Sequence, residues 1–183
     1  SLSPFPQAAH ALPAQTLAQL ATRYRQRVAA AVPEQARLRY ITDKRPDNFQ
    51  LIGLIKQLFP AARIVHTRRH PLDNGLSIFM QQLNPHRFGY AGRLEDIGHF
   101  YAHYQRLMGH WLSLYPDSIH TFDYDAFVAA PEPTLRALLD FLQLPWEPDC
   151  LDFHLAPGAV RTASYWQVRR PLHADASGRW RHY

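Results

Sequence analysis

One cysteine, Cys150, is the whole thiol inventory of the chain. It excludes an intramolecular disulfide and any Cys-x-x-Cys zinc or redox pair, so a reduced, cytosolic setting is expected. Long apolar runs are absent too: none approaches the roughly 18 residues that a bilayer crossing needs. The N-terminal residues show neither the basic flank nor the continuous apolar stretch of a signal peptide, and no membrane partner is expected. Missing as well are a Gly-x-x-x-x-Gly-Lys-Ser/Thr phosphate loop, an internal repeat, a low-complexity tract and any break in composition that would mark a domain boundary.

What is present suffices for one core. Of 183 residues, 46% are hydrophobic and 13% aromatic, and a single domain over 1–183 is expected. Lys and Arg outnumber Asp and Glu by 20 to 15. Beyond Leu155 stand five arginines (Arg161, Arg169, Arg170, Arg179, Arg181) against one acid, Asp175, so four of the five net positive charges lie in the tail. Such a concentration attracts anions without naming one.

Hydrophobic spacing supplies the elements. Pro13 opens a helix whose face, Leu17, Leu20, Ala21, Tyr24 and Val28, is expected to be buried until Pro33 ends it. Leu38, Tyr40 and Thr42 alternate as a short strand, and Asp47 or Asn48 caps a helix carrying Phe49, Ile52, Ile55 and Phe59. The run from Ala62 to Thr67, with Ile64 and Val65 adjacent, fits a strand covered on both faces, and the next helix opens at Pro71. A long helix covers Leu94 to Leu114, a third strand about Ile119 to Tyr124, and a helix follows Pro133. Alternating strands and helices predict an α/β fold with a parallel sheet flanked by helices, 1–154 forming its core and 155–183 a basic terminal segment without a sustained period.

In such sheets ligands bind at the carboxyl ends of strands, where helix N-termini attract anions. Thr67-Arg68-Arg69-His70-Pro71 is that kind of place. Arg69 in the loop and Ser77 in the second turn of the helix could grip one phosphate, by a forked charge-assisted bond and a hydroxyl donor. On residue type alone, a solvated arginine pair and an ordinary helix serine remain the alternative.

The segment RIVHTRRHPLDNGLS, with Arg69, Asp73 and Ser77 spaced by four and eight, resembles the 3′-phosphate-binding element of sulfotransferases. Upstream, ITDKRPDNFQLIGLIKQLFP is similar to the preceding segment of the bacterial tetratricopeptide-linked type, and more loosely of tyrosylprotein sulfotransferases. Downstream, FLQLPWEPDCLDFH, VRTASYWQVRRPL and SGRWRHY follow the family's C-terminal blocks in order. The resemblance implies a P-loop NTPase-like sheet, incomplete at its N-terminus, and transfer of a sulfuryl group from 3′-phosphoadenosine 5′-phosphosulfate to a hydroxyl or amine acceptor without a metal. It implies charge-stabilising roles for Lys44 and Ser164 and nucleotide binding by Arg69, Ser77, Arg170 and Arg179, the last two in a loop that closes over the nucleotide. The family's donor loop, about Pro-x-Arg-Ser-Gly-Thr-Thr, has no match, and the presumed base would lie upstream of Ser1. The chain therefore reads as the C-terminal part of such a domain, whether as a domain fragment, a truncated gene product or a divergent relative, with no base assigned and with self-association open to it.

Other readings rank lower. A basic nucleic-acid-binding module draws on the +5 charge and on Tyr165, Trp166 and Trp180 as stacking platforms. A non-catalytic nucleotide-binding remnant and an ATP-using kinase relative are the others, and the latter lacks a phosphate loop. His99, His103 and His110 share a helix face away from the apolar stripe and read as a polar face, with no metal site expected. His66, inside a strand, reads as a satisfied core imidazole. The acceptor is not legible, because variable loops build acceptor pockets.

Overall fold

The computed structural model describes residues 6–31, 40–81, 83–86, 88–155 and 169–183. These fall into two compact units, Ser1–Ala62 with Leu107–Leu114 and Arg63–Arg106 with Tyr115–Tyr183.

The first unit is helical. A short α1 (Gln7–His10) precedes α2 (Ala14–Ala30), which begins just after Pro13, and a 3₁₀ turn (Asn48–Leu51) leads into α3 (Ile52–Leu58). The expected apolar face of α2 is only partly covered. Ala21 is buried and Leu17, Tyr24 and Val28 are half-buried, but Leu20 is 37% exposed. Of the expected strand at Leu38–Thr42, Leu38 lies outside the described residues, while Tyr40 and Thr42 sit in an exposed loop without regular structure. Alternation of side-chain type does not by itself fix a strand.

Three contacts tie this unit together. The Trp111 Nε1–H donates to the Phe49 carbonyl at 2.8 Å, Tyr24 packs tilted on Phe59 at 5.3 Å, and buried Lys56 donates to the carbonyls of Pro60 and Ala62 beyond the end of α3. A buried ammonium is tolerable only with such partners.

The second unit holds the sheet. β1 (Ile64–Arg68) runs into α4 (Pro71–Met80), a 3₁₀ turn (Gly89–Gly92) and α5 (Leu94–Leu114), whose residues from Leu107 on belong to the first unit. β2 (Ile119–Asp123), α6 (Tyr124–Ala129), α7 (Pro131–Leu142) and a final 3₁₀ turn (Arg179–His182) follow. α6 was not foreseen, and α7 starts at Pro131, two residues before the expected Pro133. β1 and β2 pair in parallel, Ile64 opposite Ile119 through Arg68 opposite Asp123.

Side chains of a strand alternate between faces. On one face His66 bonds Tyr104 of α5 and lies 3.5 Å from the Thr121 hydroxyl; on the other His120 stacks on Phe141 of α7 at 5.2 Å, and Phe122 meets Phe127 of α6 at 5.3 Å. The sheet is thus covered on both faces, an α/β architecture as expected. Burial, then the Arg68 charge, holds the His66 imidazole below its ordinary range, which fits a neutral core histidine.

Candidate functional site

Parallel pairing brings the carboxyl ends of β1 and β2 side by side. There Arg68 Nε donates to Asp123 Oδ2 at 2.9 Å, while Asp123 Oδ1 accepts the backbone N–H groups of Asp125 and Ala126 and so caps α6. Burial would raise the Asp123 carboxyl, but the Ala126 N–H, the Arg68 guanidinium and the Asp125 N–H outweigh it and keep it below its ordinary value. Beyond Arg69 the chain enters α4 with Pro71 at its first position, and His70 Nδ1 accepts the Leu72 N–H at 3.3 Å as the N-cap. The backbone N–H of His70 goes to Asp125 Oδ2 at 2.8 Å.

Against this corner lies the C-terminal turn. Asp73, 2% exposed, accepts the N–H groups of Gly178 at 2.7 Å and Trp180 at 2.8 Å. Ser177 donates its hydroxyl to Asp125 Oδ1, Arg69 Nη2 donates to the Ala176 carbonyl, and the Trp180 ring lies parallel to that of His70 at 5.2 Å. Burial would raise the Asp73 carboxyl; the N–H donors of Trp180 and Gly178, with the Arg69 charge, reverse that and hold it low.

The expected site residues are distributed as follows. Arg69 stands at the carboxyl end of β1, its guanidinium 5.5 Å from the Tyr124 ring centre and its Nε buried without a partner among the described residues. Ser77 is half-buried in α4, and no side-chain hydrogen bond engages its hydroxyl among the described residues. Arg179 reaches the other end of α4, with Nη2 3.6 Å from Met80 Sδ. Asp73, Ser77 and Met80 are spaced i, i+4, i+7 and share one face of α4; the terminal turn touches that face at Asp73 and at Met80. Arg170 is engaged within its own segment, 3.4 Å from Asp175. Lys44 belongs to the other compact unit, in an exposed loop whose neighbour Asp43 accepts from Tyr24 Oη at 2.6 Å and from Asn48 at 3.3 Å. Asp43 pushes the Tyr24 phenol up to about 12, through its hydrogen bond first, then burial and then its charge. Ser164, Tyr165 and Trp166 lie outside the described residues.

Sequence reasoning noted Asp73 as a spacing match but missed its partners, and it missed Asp125 and Ser177 altogether. A signal existed for the turn itself: Gly178 adopts φ 77°, a left-handed conformation that glycine enters at little cost. Among the described residues, no group of three metal-ligating side chains is gathered and no helix is long and apolar enough to cross a membrane.

The sequence model of the family described as "Sulfotransferase family" matches residues 3–148. That stretch contains Lys44, Arg69, Asp73 and Ser77, and it ends before Ser164, Arg170 and Arg179. A protein of Aquifex aeolicus (strain VF5), described only as an uncharacterized protein, is 36% identical over 162 residues, 87% of this chain and 21% of that protein. The chain thus spans about a fifth of that relative's length. With a family match over most of the chain and an α/β core in which the matched Arg69 directly follows the first strand, the chain belongs to the sulfotransferase family.

Proposed function

We propose that the chain supplies the 3′-phosphoadenosine-binding half of a site that transfers a sulfuryl group from 3′-phosphoadenosine 5′-phosphosulfate to a hydroxyl or amine acceptor. One observation carries this reading. At the carboxyl end of the sheet, Arg69 keeps a buried Nε–H without a partner, and further along the adjoining helix Ser77 keeps an unengaged hydroxyl among the described residues. A buried N–H left unpaired costs about 1–3 kcal/mol, and an anionic oxygen satisfies it. Arg69, Ser77 and Arg179 would hold the 3′-phosphate. The donor itself supplies the activated sulfuryl group. Lys44 and Ser164 would neutralise charge on the sulfuryl oxygens, since fixed cations and hydroxyls aimed at developing negative charge lower such barriers. In the transfer, the acceptor oxygen or nitrogen bonds to sulfur, the bond from sulfur to the bridging phosphate oxygen breaks, and the acceptor's proton is released. The one-domain organisation, with 155–183 closing over the nucleotide, belongs to the same proposal.

Calorimetry with 3′-phosphoadenosine 5′-phosphate and with 5′-AMP tests it. A charge-assisted bond of about 1.5–3 kcal/mol predicts roughly tenfold or greater preference for the bisphosphate. Equal affinity for the two, with a steep salt dependence shared by any polyanion, would instead mark a nonspecific basic surface.

A further inference from the structure

The C-terminal turn is fastened by side chains that lie far from it in sequence. Gly178 and Trp180 give their N–H groups to the two oxygens of Asp73, across separations of 105 and 107 residues. Ser177 donates to one oxygen of Asp125, and the other Asp125 oxygen holds the N–H of His70 at 2.8 Å. The left-handed Gly178 turns the chain so that N–H groups two residues apart converge on one carboxylate. Residue 179 stands between the two pinned amides. Its side chain is thereby committed to the Asp73–Ser77–Met80 face of α4, where its guanidinium lies 3.6 Å from Met80 Sδ.

Hydrogen bonds from neutral donors do not cancel a carboxylate's charge, but they occupy its oxygens: both oxygens of Asp73 take N–H donors, and those of Asp125 take a hydroxyl and an N–H, so both carboxylates are engaged in holding the chain. We propose that Asp73 and Asp125 are positioning residues that clamp Ala176–Trp180 so that Arg179 is delivered to the Ser77 face of α4. This inference rests on reading Arg69 and Ser77 as a 3′-phosphate site. Neither carboxylate touches the nucleotide; each acts through the turn that carries Arg179.

The test compares the parent chain with Asp73→Asn, Gly178→Ala, Ser177→Ala, Arg179→Ala and the double variant Asp73→Asn/Arg179→Ala. Amide hydrogen exchange over residues 176–183 reports the clamp without any ligand, and calorimetry with 3′-phosphoadenosine 5′-phosphate and 5′-AMP reports the site. Asp73→Asn and Gly178→Ala should raise exchange by about tenfold or more while far-ultraviolet dichroism stays unchanged. Both should weaken the bisphosphate about as much as Arg179→Ala, roughly tenfold, and leave 5′-AMP within about twofold. The double variant should bind no more weakly than Arg179→Ala, because the two changes remove the same interaction. Gly178→Ala keeps every carboxylate and so separates turn geometry from charge, and Ser177→Ala probes Asp125 if Asp73→Asn fails to fold. Unchanged exchange in Asp73→Asn, equal losses for both nucleotides, or additive losses in the double variant would each overturn the positioning role. A parent that does not distinguish the nucleotides overturns the phosphate reading and this role together, whereas discrimination by the parent with unchanged exchange overturns the role alone.

Discussion

Gly53→Ala sets two effects of similar size against each other. Within α3, replacing glycine by alanine gains up to about 1 kcal/mol of helix propensity. At this position, however, a Cβ would lie 2.8 Å from Cη2 and 3.2 Å from Cζ3 of the Trp111 ring. The indole cannot swing aside freely, because its Nε1–H is held by the Phe49 carbonyl at 2.8 Å. Overpacking of this kind costs typically about 1–3 kcal/mol, and a broken indole hydrogen bond would add about 1 kcal/mol. The clash wins, and a net loss of about 1–2 kcal/mol is expected, a few degrees in Tm for a chain of this size. Gly109→Ala is the matched control. It lies in α5, nothing stands within 4 Å of its would-be Cβ, and a gain of about 0.5–1 kcal/mol is expected. Thermal melts followed by near-ultraviolet dichroism would compare the two. A Gly53→Ala protein as stable as Gly109→Ala would refute the packing of Trp111 on α3.

Other consequences follow from charge and edges. Because Asp73 is held below its ordinary value of 3.8, the stability it confers on the terminal turn is complete above that value and lost as pH falls through the lower folded-state value. The near-ultraviolet dichroism of stacked Trp180 should therefore show an acid step below pH 3.8 that is absent in Asp73→Asn; a step centred above that pH would contradict the assignment. One phenol should titrate near 12 in a spectrophotometric titration, from Tyr24, and Asp43→Asn should return it toward 10.0. Titration unaltered by that substitution would remove the Tyr24–Asp43 bond from the account. β1 and β2 form a two-stranded sheet among the described residues, each with one edge unpaired. Such edges invite pairing between chains, so sedimentation should show concentration-dependent self-association; a compact monomer at every concentration would count against it.

Legibility in the sequence followed the range of the interactions. The long helix α5 was readable because Ile97, Phe100, Tyr104 and Met108 recur at helical spacing, and β1 because adjacent Ile64 and Val65 mark a strand covered on both faces. α6 escaped because six residues are too few to show a period, although Asp123 two residues before Asp125 was a readable cap. Tyr40 and Thr42 alternate correctly, but alternation of side-chain type does not by itself fix a strand. The same limit hid the clamp. Asp73 meets Gly178 and Trp180 across more than a hundred residues, and neither hydrophobic period nor turn chemistry encodes such a pairing. Arg69 and Ser77 were visible through the eight-residue spacing shared with sulfotransferases.

The central claim is that Arg69 reads the 3′-phosphate of an adenosine nucleotide, and calorimetry of Arg69→Ala beside the parent chain tests it most directly. The account predicts that 3′-phosphoadenosine 5′-phosphate binds roughly tenfold or more weakly to the variant, while 5′-AMP binds as it does to the parent. Unchanged bisphosphate affinity, or an equal loss for both nucleotides, would contradict it.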